Sequence, residues 1–289
     1  MDVLLVGSDG PVGVALQSAF AQWGRHRAQP VSLSASRWRS ERQAKKAARR
    51  GDPDIIVDLR LAELFTAGAA PDADDLERAH WLAKAGERSD IRYMLLSSDR
   101  VFAGAHARGL RETDAPDDEG IARQLAAAEQ RVLQASPAAL ILRTGPVFAD
   151  IQDNLLTRTL AVLARDRSAS FDDSDVFCPV ANLDVARVIA AMLDQLSVGS
   201  PAAGIYHYCS GDRTTEYGFA EASLAAASQF VDSGDVTISA MPAADNPVSR
   251  VLDCSRLRDT FAIKQVPWRG FINPVVKQYI ERLHSAEKP

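Results

Sequence analysis

Gly7, Gly10 and Gly13 stand in a GxxGxxG spacing directly after the apolar run Val3-Leu4-Leu5-Val6. Such a loop can turn sharply out of a strand, present helix-start N–H groups to a pyrophosphate and let helix and strand approach closely. Asp9, Pro11 and Val12 complete it, and Pro11 suits a first helical turn, where its missing N–H costs little. The competing reading is a tight strand-to-helix turn with no ligand. After the second strand, Ser34-Ala35-Ser36-Arg37-Trp38-Arg39 contains no acid to accept the hydroxyls of an adenosine ribose. If a dinucleotide binds, NADP(H) is therefore favoured, with Arg37 as the contact to the 2′-phosphate. Arg37, Arg39, Arg42, Lys45, Lys46, Arg49 and Arg50 read equally well as the solvated face of a helix.

Other chemistry is thinly supported. The histidines His26, His80, His106, His207 and His284 form no HxH or HxxxH pair, so no metal site is expected. No G-x-S-x-G elbow is present. Cys178 beside Pro179 is either a nucleophile at a cleft or a buried bystander thiol, with burial the commoner fate. The three cysteines are far apart and in no CxxC pair, which fits reduced thiols in a cytoplasmic protein.

The elements that must position these residues alternate. Apolar runs at Val3–Val6, Val31–Leu33, Ile55–Val57, Tyr93–Leu96 and Ala139–Leu142 predict strands. Helical spacing covers Val12–Trp23, Leu76–Ala85 and Ile121–Leu133. Continuously apolar strands separated by helices predict a parallel, doubly wound sheet covered on both faces. The second half predicts helices over Asn154–Arg165, Leu183–Leu196 (capped by Asn182), Thr215–Gln229 and Gly270–His284, with strands at Ile205–Ser210 and Val236–Ala240. No linker divides the 289 residues. The expected layout is a dinucleotide-binding domain over 1–150, joined by 176–205, and a smaller interleaved α/β substrate lobe from 151–175 and 206–289.

Composition narrows the function. A net charge of −5 argues against broad binding to nucleic acid or an acidic membrane. No apolar stretch is long enough to span a bilayer, and Met1-Asp2 leads into the first strand without the basic segment of a secretory leader.

Several segments together resemble the extended short-chain dehydrogenases/reductases, and most closely the dTDP-4-dehydrorhamnose reductase-like family. They are the glycine loop, Pro53-Asp54-Ile55-Ile56-Val57-Asp58, Leu96-Ser97-Ser98-Asp99-Arg100-Val101-Phe102-Ala103-Gly104 and Arg111-Glu112-Thr113-Asp114-Ala115-Pro116. Leu142-Arg143-Thr144-Gly145-Pro146, Cys178-Pro179-Val180 and Gly204-Ile205-Tyr206-His207-Tyr208 extend the match along the chain. The resemblance implies a Rossmann-type fold with an interleaved lobe for a nucleotide sugar. It also implies a cofactor-side role for Asp58 and Leu59, Ser98 as the catalytic hydroxyl, and Arg100, Arg143 and Cys178 on the substrate side.

The family's proton shuttle is missing. Its Ser/Thr works with a Tyr-x-x-x-Lys pair four residues apart on one helix face. Anchored on Glu129 the pair falls on Ile121 and Leu125; anchored on Glu112 and Asp114 it falls on Ala122 and Ala126. Tyr93, Tyr206, Tyr208, Tyr217 and Tyr279 are followed four residues later by Ser97, Ser210, Asp212, Glu221 and Leu283. No YxxxK exists, and losing a positioned acid/base removes ~10²–10⁴ in rate. Asp58-Leu59-Arg60-Leu61 also replaces the small residues that usually leave room for the cofactor, and Arg100 stands where Tyr is common. The expected protein is a catalytically degenerate relative that binds NADP(H) or a nucleotide sugar as a regulatory or accessory factor, as a homodimer or with a protein partner. The alternatives are an active NADP-dependent reductase or epimerase of a nucleotide-linked 4-keto sugar and an interaction protein with an empty cleft. In the first, Ser98 would polarise the carbonyl and Arg100, Asp99 or a water would relay the proton.

Overall fold

β1 (Asp2–Val6) is buried along nearly its whole length and forms an interior strand of a parallel sheet. The computed structural model describes residues 1–104, 108–232, 234, 236–241 and 245–286; His106 lies outside them. α1 (Pro11–Trp23) opens on proline and closes on Gly24, whose φ of 65° lets its N–H return to the Phe20 carbonyl. β2 (Arg27–Val31), α2 (Glu41–Ala48), β3 (Ile55–Asp58), α3 (Arg60–Thr66), α4 (Ala73–Glu87), β4 (Arg92–Ser98), α5 (Gly120–Ala135) and β5 (Leu140–Thr144) follow. α4 is started by reciprocal bonds between Asp72 and Asp75. The sheet is completed much later by β10 (Gly204–Tyr208), reached through β6 (Val147–Phe148), α6 (Leu155–Arg165), β7 (Ser168–Asp172), β8 (Val176–Phe177), β9 (Val180–Ala181) and α7 (Asn182–Ser197).

The six strands run β10-β5-β4-β3-β1-β2. α1 packs on α7, while α2 and α5 pack on α4, so the sheet is doubly wound in a Rossmann-like α/β fold. Strand order reverses between β1 and β3, which places the crevice for a ligand beyond the carboxyl ends of those two strands. Both the glycine loop and the β3–α3 turn lie there.

A second apolar cluster joins Leu156, Leu160, Phe171, Phe219, Trp268 and Val276. It is built from α6, β7, α8 (Glu216–Ala227), β11 (Thr237–Met241) and α10 (Arg269–Ala286); β12 (Ser249–Arg250) pairs with β8. The expected boundary at residue 206 is displaced. Tyr206, Tyr208, Leu252, Cys254, Leu257 and Phe261 belong to the first core, because β10 is the sheet's edge strand and α9 (Ser255–Phe261) packs against it.

Two local expectations also shift. The second strand lies at Arg27–Val31 and not at Val31–Leu33, because the Gly7 and Ser8 N–H groups both donate to the Val31 carbonyl and Ser32–Ser36 closes a turn. Its Pro30 is tolerated because β2 is an edge strand. Asn182 is the first residue of α7, not its cap; its side-chain amide donates to the Pro11 carbonyl instead.

Candidate functional site

The glycine loop turns at Gly7, whose φ is 87°. A Cβ on Gly13 would stand 2.5 Å from the Gly7 carbonyl oxygen, so helix and strand meet backbone to backbone. Every first-turn donor of α1 can then be accounted for. Pro11 has no N–H, and the Val14 N–H donates to the Gly10 carbonyl at 2.9 Å. The Val12 and Gly13 N–H groups donate to a single oxygen, Oε1 of Glu63, at 2.9 and 3.1 Å. Glu63 projects from α3 and is buried, and burial pushes its carboxyl up to about 8 despite the two N–H donors that oppose the shift. A Cβ on Gly10 would lie 2.3 Å from its carboxyl carbon. A bound pyrophosphate needs these same N–H groups and this same space. The residues present do not fit it.

The turn that delivers Glu63 is itself locked. Asp58 Oδ1 accepts from the Arg60 backbone N–H (3.2 Å) and Nε (3.0 Å), and Oδ2 accepts from Arg60 Nη2 (2.6 Å) and the Tyr93 hydroxyl (2.9 Å). An Asp that closes a strand and bonds the N–H two residues on is a natural start for a helix. The cofactor-side role expected of Asp58 and Leu59 is therefore corrected. Both are fully buried, Asp58 in this ion pair and Leu59 in the core. Asp9 is exposed and accepts the Leu33 N–H through its carboxylate. Arg37 sits at the rim of a small cavity whose wall includes Arg60, Asp72, Asp75 and Arg78.

A separate cleft opens between the sheet and the second lobe. Ser97, Ser98, Asp99 and Arg100 line it from the end of β4, Thr144 to Val147 from the end of β5, and Arg158, Phe177, Glu216 and Arg250 from the other side. The Ser98 hydroxyl donates to Asp99 Oδ1 at 3.1 Å and accepts the Arg100 N–H at 3.2 Å. Asp99 is buried, and burial raises its carboxyl above the usual carboxylate range. Its Oδ2 lies 3.6 Å from Arg250 Nε, and neither atom has a hydrogen-bond partner among the described residues. Burial likewise raises Glu216. Three guanidinium groups thus face two carboxyls. Among the described residues no Tyr or Lys lines the cleft, and α5 contributes none of its walls.

Gly145 fixes one wall. A Cβ there would sit 2.1 Å from the Cys178 carbonyl oxygen, a backbone atom that cannot swing aside. Gly145→Ala is expected to destabilise the fold by about 1–3 kcal/mol, as overpacking does. The melting temperature measures it, and an unchanged value would show that the two segments part freely.

Two expected substrate contacts are corrected. Arg143 is buried and turned away from the cleft: its Nε and Nη2 donate to Glu129 Oε2 at 3.0 and 2.6 Å, and Nη1 meets His207 Nε2 at 3.3 Å. Cys178 is 2% exposed and absent from the cleft wall. Its hydrogen bond with Cys209, reinforced by burial, pushes the thiol far up, which suits an inert core residue. The cysteines nevertheless come together: Cys209 and Cys254 Sγ atoms are 3.8 Å apart. Glu63, Arg158, Glu216 and Arg250 escaped the sequence reading. The only hint of Glu63 was an acid four residues after Leu59, one helical turn into a segment too short to show periodicity.

The sequence profile of the RmlD substrate binding domain matches residues 1–281. A dTDP-4-dehydrorhamnose reductase of Burkholderia thailandensis is 27% identical over 98% of this chain and 100% of its own. One from Aggregatibacter actinomycetemcomitans is 24% identical over 92% and 95%. Among solved structures, dTDP-4-dehydrorhamnose reductase from Bacillus anthracis in complex with NADP superposes with a TM-score of 0.79 at 18% identity, covering 97% of this chain and 99% of that one. The Bordetella bronchiseptica enzyme WbmH in complex with NAD+ gives 0.74 at 16% identity, over 97% and 98%.

Proposed function

The chain belongs to the RmlD substrate-binding-domain family, and within it we propose a catalytically degenerate member that binds a nucleotide sugar and acts as a regulatory or accessory factor. The observation that carries this reading is the composition of the cleft. Its walls offer a buried Asp99 carboxyl whose Oδ2 makes no hydrogen bond among the described residues, and the guanidinium groups of Arg100, Arg158 and Arg250, with no phenol or amine beside Ser98 among the described residues. Guanidinium groups suit a diphosphate by paired N–H donation. Asp99 Oδ2 suits a sugar hydroxyl, whose O–H would satisfy an oxygen otherwise costly to leave bare.

The cleft residues bind and orient; they do not move a hydrogen. Ser98 donates its proton to Asp99 and accepts the Arg100 N–H with one of its two lone pairs. The one inward acid of α5, Glu129, is engaged by Arg143 and Ser97. A family member with this cleft holds its ligand as found, which is the behaviour a sensor subunit needs.

Calorimetric titration with dTDP-glucose, UDP-glucose and GDP-mannose tests the reading. At least one should bind saturably, and Arg250→Ala should weaken it by about ten-fold or more, the worth of one charge-assisted hydrogen bond. No binding of any nucleotide sugar would favour an empty cleft, and steady NADPH oxidation with a dTDP-4-keto sugar would make the protein a reductase.

A further inference from the structure

We propose that Glu63 is a built-in occupant of the seat where a dinucleotide's phosphate would lie, and that this side chain, not any loss of the glycine loop, keeps dinucleotides out. Glu63 faces the start of α1, whereas its α3 neighbours Ala62, Phe65 and Thr66 line the separate nucleotide-sugar cleft, so the occupancy does not rest on that cleft reading. Three observations converge. The two N–H groups that α1 leaves free, those of Val12 and Gly13, are both consumed by Glu63 Oε1. The carboxyl fills the space that Gly10 leaves open, to within 2.3 Å of where a Cβ would be. The segment that carries it is anchored by a buried Asp58–Arg60 pair with Tyr93 as a third member, so withdrawing Glu63 means disturbing a packed ion pair.

The same geometry explains why the glycines persist without a cofactor. Gly13 is required because the Gly7 carbonyl lies under it, and Gly10 because Glu63 lies over it. A carboxylate or carboxyl oxygen at a helix N-terminus accepts the same bonds and meets the same positive end of the helix as a phosphate oxygen. Here the acceptor is covalently part of the chain, so its local concentration exceeds that of any diffusing dinucleotide.

The full chain is titrated with NADPH and with inorganic pyrophosphate, as wild type, Glu63→Gln and Glu63→Ala. Gln keeps an oxygen in the seat, whereas Ala empties it and frees both N–H groups. Wild type and Glu63→Gln should show no saturable heat and no thermal shift with either compound, while Glu63→Ala should gain a thermal shift with pyrophosphate. Saturable NADPH binding to the wild type that pyrophosphate displaces would overturn the proposal, as would a folded Glu63→Ala that responds to neither anion. Amide resonances of the wild type provide a readout that needs no variant. Val12 and Gly13 should move as Glu63 titrates and stay fixed when NADPH is added; movement with NADPH would contradict the occupancy. A nucleotide sugar that binds while these results fail, or the reverse, separates this proposal from the cleft reading.

Discussion

Arg143→Met is expected to destabilise the fold by about 3–5 kcal/mol, the usual consequence of stranding one member of a buried ion pair. Arg143 and Glu129 have side chains 2% exposed each, and Glu129 also accepts the Ser97 hydroxyl. Methionine fills much of the guanidinium's volume, so the loss reports the uncompensated Glu129 carboxylate more than a cavity. His207 offers no relief. Burial, the larger of the causes that lower it and the one that remains once the Arg143 charge is gone, disfavours its charged form, and its Nδ1 is already engaged with the Leu110 carbonyl. The double variant Glu129→Leu/Arg143→Met should recover most of the loss, because two apolar groups of similar size leave nothing ionised to desolvate. Chemical denaturation midpoints read both effects. A single variant within about 0.5 kcal/mol of wild type, the range of an ordinary surface change, would mean that the pair does not hold α5 to the sheet.

The second large effect is a pH dependence. Burial holds the Glu63 carboxyl at about 8 in the folded state, against an ordinary value of 4.5. Between those values the folded state holds a proton that the unfolded state has released. Stability therefore falls as pH rises through that window: the contribution is fully present below about 4.5 and lost above about 8. Each tenfold change in proton affinity is worth about 1.4 kcal/mol, so the swing amounts to a few kcal/mol. Asp9, the nearby acid, pushes in the same direction. Other groups titrate over the same range, so the informative quantity is the difference between wild type and Glu63→Gln. The variant, which has no proton to lose, should gain steadily on the wild type from about pH 5 to about pH 8. A difference that stays flat across that range would show that Glu63 is solvated and not seated against α1.

Much of the fold was legible in the chain. Continuously apolar strands and intervening helical spacing led to the parallel sheet, and β1, β3, β4 and β5 fall within a few residues of their expected limits. What failed did so for physical reasons. β2 is set by where the Gly7 and Ser8 N–H groups find an acceptor, which apolar patterning does not encode. α3 and α9 are too short for a period to emerge. The site was legible only at its β4 and β5 ends, where Ser98, Arg100 and Gly145 lie in strand-end motifs. Arg158, Glu216 and Arg250 come from three segments of the second lobe, and only folding brings them opposite Ser98. Arg143 misled because a strand-end arginine looks the same whether it faces a ligand or a buried acid. The glycine loop misled more deeply: its spacing records a close backbone approach, and a side chain fifty residues away can exploit that approach as well as a cofactor can.

The most direct test of a dinucleotide-free binding protein follows the nicotinamide fluorescence of NADPH as wild-type protein is added, with and without a saturating nucleotide sugar. Emission unchanged across the titration, alongside saturable heat from the sugar nucleotide, is the predicted result. Enhanced emission that saturates and then decays as a keto sugar is reduced would show a dinucleotide seated where Glu63 is placed, and an enzyme where a binding protein is proposed.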